Sequence, residues 1–202
     1  MRGSRTRSSD LGAWYPVFAQ HEIKLDTTAA LETIDITPEV QRLVEESSVL
    51  AGFALVHCLH TSAGLLLNEF ESGFRRDFAE LADRLVPADA HYRHDDMSVR
   101  CENLCPEDVD FPNGHSHLQH SLFGTPTIIV PISERSLVLG RWQRILLVEY
   151  DRPRARRISV NLFGVGSTPG EERGDDGHQV ASRRETAEPP PPPDAPHAAV
   201  VP

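Results

Sequence analysis

Between Thr125 and Gly164 the chain reads as four strands in close succession: "TPTIIVPI", "RSLVLG", "WQRILLVEY" and "RRISVNLFG". Each is rich in β-branched and large apolar residues, and only short turns separate them. Turns of that length cannot carry the crossover that parallel neighbours need, so these strands pair mainly antiparallel. A chain committed to this much consecutive sheet must bury one face of it against something else.

The upstream half supplies the partners. "PVFAQHEIKLDTT" and "ALETIDIT" read as two early strands, "FALVHCLH" as a buried strand, and "TSAGLLLNE" as a turn followed by another strand. Two helices stand among them. In "TPEVQRLVEESSVLAG", Thr37 is placed as N-cap, Pro38 opens the helix, Val40, Leu43 and Val44 recur at helical spacing, and Gly52 is the stop. In "FRRDFAELADRLVP", Phe74, Phe78, Leu81 and Leu85 share one face and Pro87 ends the run. A third, short helix begins at Ser116, whose pairing with Gln119 has capping-box spacing, and ends at Gly124. The expected fold is α+β: a mostly antiparallel β-sandwich of seven or eight strands, with two main helices and one short helix outside it.

Composition changes after Gly164. Residues 165–202 lose hydrophobic periodicity and hold half of the sixteen prolines, including Pro189–Pro193. Such a segment buries too little apolar surface to offset its ordering entropy, so it reads as a disordered, acidic, Pro-rich tail. Residues 1–12 read as a flexible N-terminus, leaving one domain over residues 13–164. The net charge of −10 argues against nucleic acid as a partner. No apolar window is long enough for a membrane helix, and "MRGSRTRSSDLG" lacks the apolar run of a secretory signal, which points to the cytoplasm. Three cysteines, Cys58, Cys101 and Cys105, speak against a disulfide framework.

Histidine is the residue that points to chemistry. "PNGHSHLQHSLFG" carries His115, His117 and His120, but no regular geometry turns all three toward one ion: on a helix His117 and His120 share a face and His115 does not. His57 falls on an apolar strand face, where a hydrogen-bonded core histidine is the simpler reading. His60 ends that strand and opens into Thr61 and Ser62, a place where side chains emerge into a cleft. Cys101, Cys105, His115 and His117 form a second metal pattern, although the three-residue gap in "CENLC" departs from the usual zinc hairpin. His91 and His94 lie in the polar loop "AHYRHDD", beside Asp95 and Asp96.

The segments "HTSAGLLLNE", "RRDF", "YRHDD", "SHLQHSLFGTPTIIVPI" and "LGRWQRILLVEYDRPRARR", in that order, resemble the YjbQ-like family from about Trp14 to Phe163. Members of that family are described as uncharacterised or as secondary thiamine-phosphate synthases. The resemblance implies an α+β sandwich that assembles as a homotrimer, with shared polar residues gathered in a cleft. It places the family histidines on His60, His94 and His117 as metal ligands. Glu69, Asp95 and Glu149 take catalytic positions, and Thr61, Ser62, Asn68, Arg76 and Gln143 ligand-binding ones. Because "NEFESGFRRDF" is one residue shorter than the family pattern, either Arg75 or Arg76 takes the family arginine's place. Gly140 and Trp142 also match, and Trp142 reads as a core or subunit-contact residue.

Two chemistries are open to three such imidazoles. They can bind a divalent metal, zinc or magnesium, with Glu69 or Glu149 as general base or further ligand. Alternatively, they can cradle a phosphate with the N–H groups of the helix start at Ser116–His117 and nearby arginines (Arg75, Arg76, Arg100 or Arg141). Either leads to an enzyme acting on a small phosphorylated metabolite, with thiamine-phosphate synthesis the named candidate. The alternative is a non-catalytic trimer that binds a metal or ligand.

Overall fold

The computed structural model describes residues 14–104 and 112–167. Eight strands form two antiparallel sheets. The larger contains β1 (Trp14–Asp26), β8 (Ala155–Ser167), β3 (Ala51–Cys58), β5 (Thr127–Ser133) and β6 (Ser136–Leu137), in that spatial order. The smaller runs β2 (Thr33–Asp35), β7 (Arg144–Glu149), β4 (Ala63–Asn68). Three α-helices accompany them: α1 (Thr37–Glu46), α2 (Ser72–Leu85) and α3 (Gly114–Phe123). This is the α+β, mostly antiparallel arrangement expected, and it is built on a period of two. Ala54, Val56 and Cys58 of β3, Ile128, Val130 and Ile132 of β5, and Ile158, Val160 and Leu162 of β8 all face one core. Leu65 of β4, Ile145 and Leu147 of β7, and Val40, Leu43 and Val44 of α1 meet them there.

Local details differ from the sequence reading, each for a physical reason. Thr37 is inside α1 and Ile36 precedes it as N-cap; the Thr37 hydroxyl instead accepts the Ile145 N–H of β7 at 2.8 Å. Gly52 does not stop α1, which ends at Glu46. It lies in β3, where a Cβ would come within 2.0 Å of the Phe163 carbonyl oxygen across the β3–β8 pair. α3 begins two residues before Ser116. The Ser116 hydroxyl donates back to the Asn113 carbonyl at 2.7 Å, and Gln119 Nε2 donates to the Val86 carbonyl at 2.9 Å, anchoring α3 to the end of α2; the two do not form a capping box. β8 continues through Ser167 opposite Trp14, so the ordered strand outlasts the expected boundary at residue 164. The remaining tail, with Pro189–Pro193, and the N-terminal residues 1–13 lie outside the described residues.

Two apolar faces find no cover among the described residues. On α2 only Ala82 is buried, and Leu85 is 59% exposed. The outer face of the larger sheet carries Phe18, Phe163, Phe53 and Pro131 in one cross-strand row. Ring centroids there are 4.9 and 5.2 Å apart, and Phe18 is 62% exposed. His57 belongs to this outer face, not to the core; its Nδ1 is 2.7 Å from the Thr127 hydroxyl. No helix among the described residues is long and apolar enough to cross a membrane.

Candidate functional site

The turn from β3 to β4 is pinned at every residue. Cys58 N–H donates to the Pro126 carbonyl and Leu59 N–H to the Arg157 carbonyl, which fixes where β3 ends. Beyond it, His60 Nε2 accepts the Arg157 N–H at 2.8 Å. The Ser62 carbonyl accepts the Tyr150 N–H, and the Ser62 hydroxyl accepts from Arg156 Nη2 at 3.1 Å. The Thr61 carbonyl lies 3.2 Å from His117 Nδ1. The Thr61 carbonyl thus sets this turn, with strand-end His60, against α3.

A 3-10 turn over Arg93–Asp95 carries His94, and Asp95 ties that turn to α3. One Asp95 oxygen accepts the N–H groups of both Asn113 and Gly114 at 2.9 Å, supplying from a distant part of the sequence the cap that Asn113 does not. Gly114 leaves room for this contact, since a Cβ there would meet Tyr92 Cβ at 2.6 Å. The clamp brings the rings of His94 and His117 to a centroid distance of 4.5 Å. Because a carboxylate already sits on the α3 N-terminus, those N–H groups are not available to an external anion.

Together these elements enclose a cleft of about 610 Å³, within the range of small-molecule sites. Leu59, His60, Thr61 and Ser62 line it from the β3–β4 turn, and His94, Arg100 and Asn103 from the polar loop. His117 of α3 and Asn113 just before that helix contribute, as do Arg156 of β8 and Arg154 just before that strand. Arg156 is buried and fully engaged: Glu149 accepts from its Nε at 2.6 Å and from its Nη2 as well. Arg154 pairs with Asp151 at 2.7 Å. Arg100 donates only to backbone carbonyls, those of His94 at 3.2 Å, Asn103 at 2.8 Å and Glu102 at 3.4 Å, and among the described residues no carboxylate neutralises it. Burial pushes the basicity of His60 down, with Arg156 acting in the same direction. Burial also lowers His117, reinforced by neighbouring His94 and opposed by the Thr61 carbonyl.

The structure thus gathers His60, His94, His117, Thr61 and Ser62 of the expected site in one place, with Arg100. Glu149 lies beneath the cleft, wholly buried, its oxygens taken by Arg156, the Thr27 hydroxyl and the Asp151 N–H. Asp95 is occupied as the α3 cap. Asn68 and Glu69 stand at the other end of β4, roughly 16 Å along the strand from Ala63 at ~3.3 Å per residue. Gln143 accepts the Gly140 N–H at 2.8 Å in a turn beside that far end. Arg76 lies with Arg75, Ser72 and Leu31 in a separate depression on α2. Trp142, read as a packing residue, is 59% exposed, with the Arg141 guanidinium 4.5 Å from its ring centre. His115 lies near Tyr92, and His120 packs over Gly64 toward Tyr150, so neither joins His117. Asn103, Asn113, Arg154 and Arg156 were not anticipated. Arg154 and Arg156 had a signal: they continue the inward period of Ile158, Val160 and Leu162, and an arginine on an inward face requires a buried carboxylate.

The donor set does not fit a ready-made metal centre. Among the described residues no group of three or more His, Cys, Asp or Glu side chains is placed to hold an ion. His60 Nε2 is spent on a backbone N–H, and Glu149 and Asp95 are saturated. Cys101 is an exposed free thiol, and Cys105, the other cysteine of the zinc pattern, lies outside the described residues.

The family described as UPF0047 protein YjbQ-like matches residues 21–165. A UPF0047 protein from Archaeoglobus fulgidus is 37% identical over 142 residues, covering 70% of this chain and 99% of its own length. YugU of Bacillus subtilis, also a UPF0047 protein, is 29% identical over 143 residues, covering 70% and 97%. Among solved structures, a YbjQ-like protein of unknown function from Sulfolobus solfataricus superposes with a TM-score of 0.62 at 30% identity, covering 74% of this chain and 99% of that one. From its fold and these similarities, the chain belongs to the UPF0047 YjbQ-like family.

Proposed function

We propose that the protein is an enzyme acting on a small phosphorylated metabolite bound in the His60–His94–His117 cleft. The observation that carries this reading is Arg100, a permanent cation without a carboxylate partner among the described residues, facing the same cleft as three imidazoles and two asparagines. Guanidinium and imidazole N–H groups suit phosphate oxygens, and the partial enclosure strengthens such contacts relative to water. Thiamine-phosphate synthesis is the specific reaction to assay. It would bring magnesium with its diphosphate substrate, because Glu149 and Asp95, the carboxylates expected at the site among the described residues, are already engaged. Zinc or magnesium bound by the protein itself is the less favoured form of the proposal: His117 Nε2 and the His94 ring are the nitrogens left to offer. In a purely binding version, the cleft would take up a phosphate ester stoichiometrically without converting it.

We place this site in a homotrimer. The uncovered Phe18–Phe163–Phe53 row and the bare face of α2 support an assembly, since a contiguous exposed apolar face of this kind marks an interaction surface. The function is tested by incubating purified protein and Arg100→Gln with thiamine precursors and magnesium, and separately with a panel of phosphate monoesters. Turnover by the native protein and its loss in a folded Arg100→Gln supports the enzyme. Tight binding with no turnover replaces it with the binding version. Absence of both removes phosphorylated metabolites from consideration.

A further inference from the structure

The hydrogen bonds holding His60 and His117 determine what each ring shows to a ligand, and the two are opposite in sense. A backbone N–H only donates, so the Arg157 amide 2.8 Å from His60 Nε2 requires a lone pair at that nitrogen. The neutral His60 ring therefore carries its proton on Nδ1, as a donor. A carbonyl only accepts, so the Thr61 oxygen 3.2 Å from His117 Nδ1 requires the proton at that nitrogen. His117 is left with its lone pair on Nε2, as an acceptor. Burial favours the neutral form of both rings.

The two rings bracket a single residue: His60 precedes Thr61 in the chain and His117 rests on its carbonyl. Arg100, on the same cleft, offers donors only. A phosphate monoester, whose phosphate oxygens above its second pKa of about 6 only accept, would satisfy Arg100 and His60 but oppose its oxygen lone pairs to His117 Nε2. A ligand that fills the cleft must also bring a donor.

We infer that the cleft recognises a phosphate ester carrying a free hydroxyl close to its phosphate, with Arg100 and His60 Nδ1–H donating to the phosphate oxygens and His117 Nε2 accepting from the hydroxyl. The inference rests on the phosphorylated-ligand reading above and narrows it to hydroxylated phosphate esters. His94, its ring tilted 59° against that of His117 at a centroid distance of 4.5 Å, packs that ring in the orientation the Thr61 contact sets.

Ethyl phosphate and 2-hydroxyethyl phosphate differ by one hydroxyl and form the probe pair. By titration calorimetry the hydroxylated ester is expected to bind the native protein about tenfold more tightly, the worth of one well-placed hydrogen bond. His117→Phe should erase that preference, and Arg100→Gln should weaken both esters. Long-range 1H–15N spectra of histidine-labelled native protein read the ring protons without any substitution, and should place them on Nδ1 of both His60 and His117. Equal affinity for the two esters overturns the inference and leaves the phosphate reading standing, as does a proton found on Nε2 of either ring. Failure of inorganic phosphate and both esters to bind overturns the phosphate reading itself.

Discussion

Glu149 and Glu69, both expected in catalytic positions, have opposite physical situations. Glu149 is buried against a buried arginine, and removing one member of such a pair strands the other charge in the interior. Glu149→Gln is therefore expected to destabilise the fold by about 3–5 kcal/mol, measured by urea denaturation. Glu69 is exposed at the far end of β4, and Glu69→Gln should change stability by less than about 0.5 kcal/mol in the same experiment. This contrast shows where the sequence was legible. His60 could be placed because the end of an apolar strand run is visible in the letters. His94 and His117, by contrast, came only through resemblance. The fate of Glu149 was hidden, because its partners Thr27 and Arg156 are brought to it by pairings that no local pattern encodes.

At the scale of elements, the Asp95 clamp is what makes a site of two separate segments. Asp95→Ala removes the acceptor for the Asn113 and Gly114 N–H groups, and loss of a helix cap costs about 1 kcal/mol. The larger effect is expected in dynamics: amide exchange at Asn113 and Gly114 should accelerate while the exchange of β3 and β8 amides is unchanged. Equal acceleration throughout the sheets would instead mean that Asp95 supports the whole fold. Helix and strand existence was readable from period and turn chemistry, as α1 and the β5–β8 run show. Boundaries were not. Gly52 and Gln119 belong to apparent signals of helix stop and start, but tertiary contacts with Phe163 and Val86 determine what those residues do.

For the molecule as a whole, the uncovered sheet face and the buried histidines each make a prediction. Phe53→Asp puts a charge in the centre of the Phe18–Phe163–Phe53 row and should convert an assembled species to monomer in analytical ultracentrifugation. A native protein already monomeric would contradict the trimer. His60, His117 and His120 all have folded-state basicities lowered by burial. The unfolded chain therefore takes up protons first, so stability is full above about pH 6.5 and declines as pH falls below it. His120→Gln should flatten that decline in a series of denaturation curves across pH. The central claim, that the cationic histidine cleft is where a phosphate-bearing ligand binds, is tested most directly by titrating inorganic phosphate into 15N-labelled protein and following amide and ring resonances. The account predicts shifts confined to His60, Thr61, His94, Arg100 and His117, lost in Arg100→Gln. Shifts centred instead on Asn68, Glu69 and Gln143, or none at all, would contradict it.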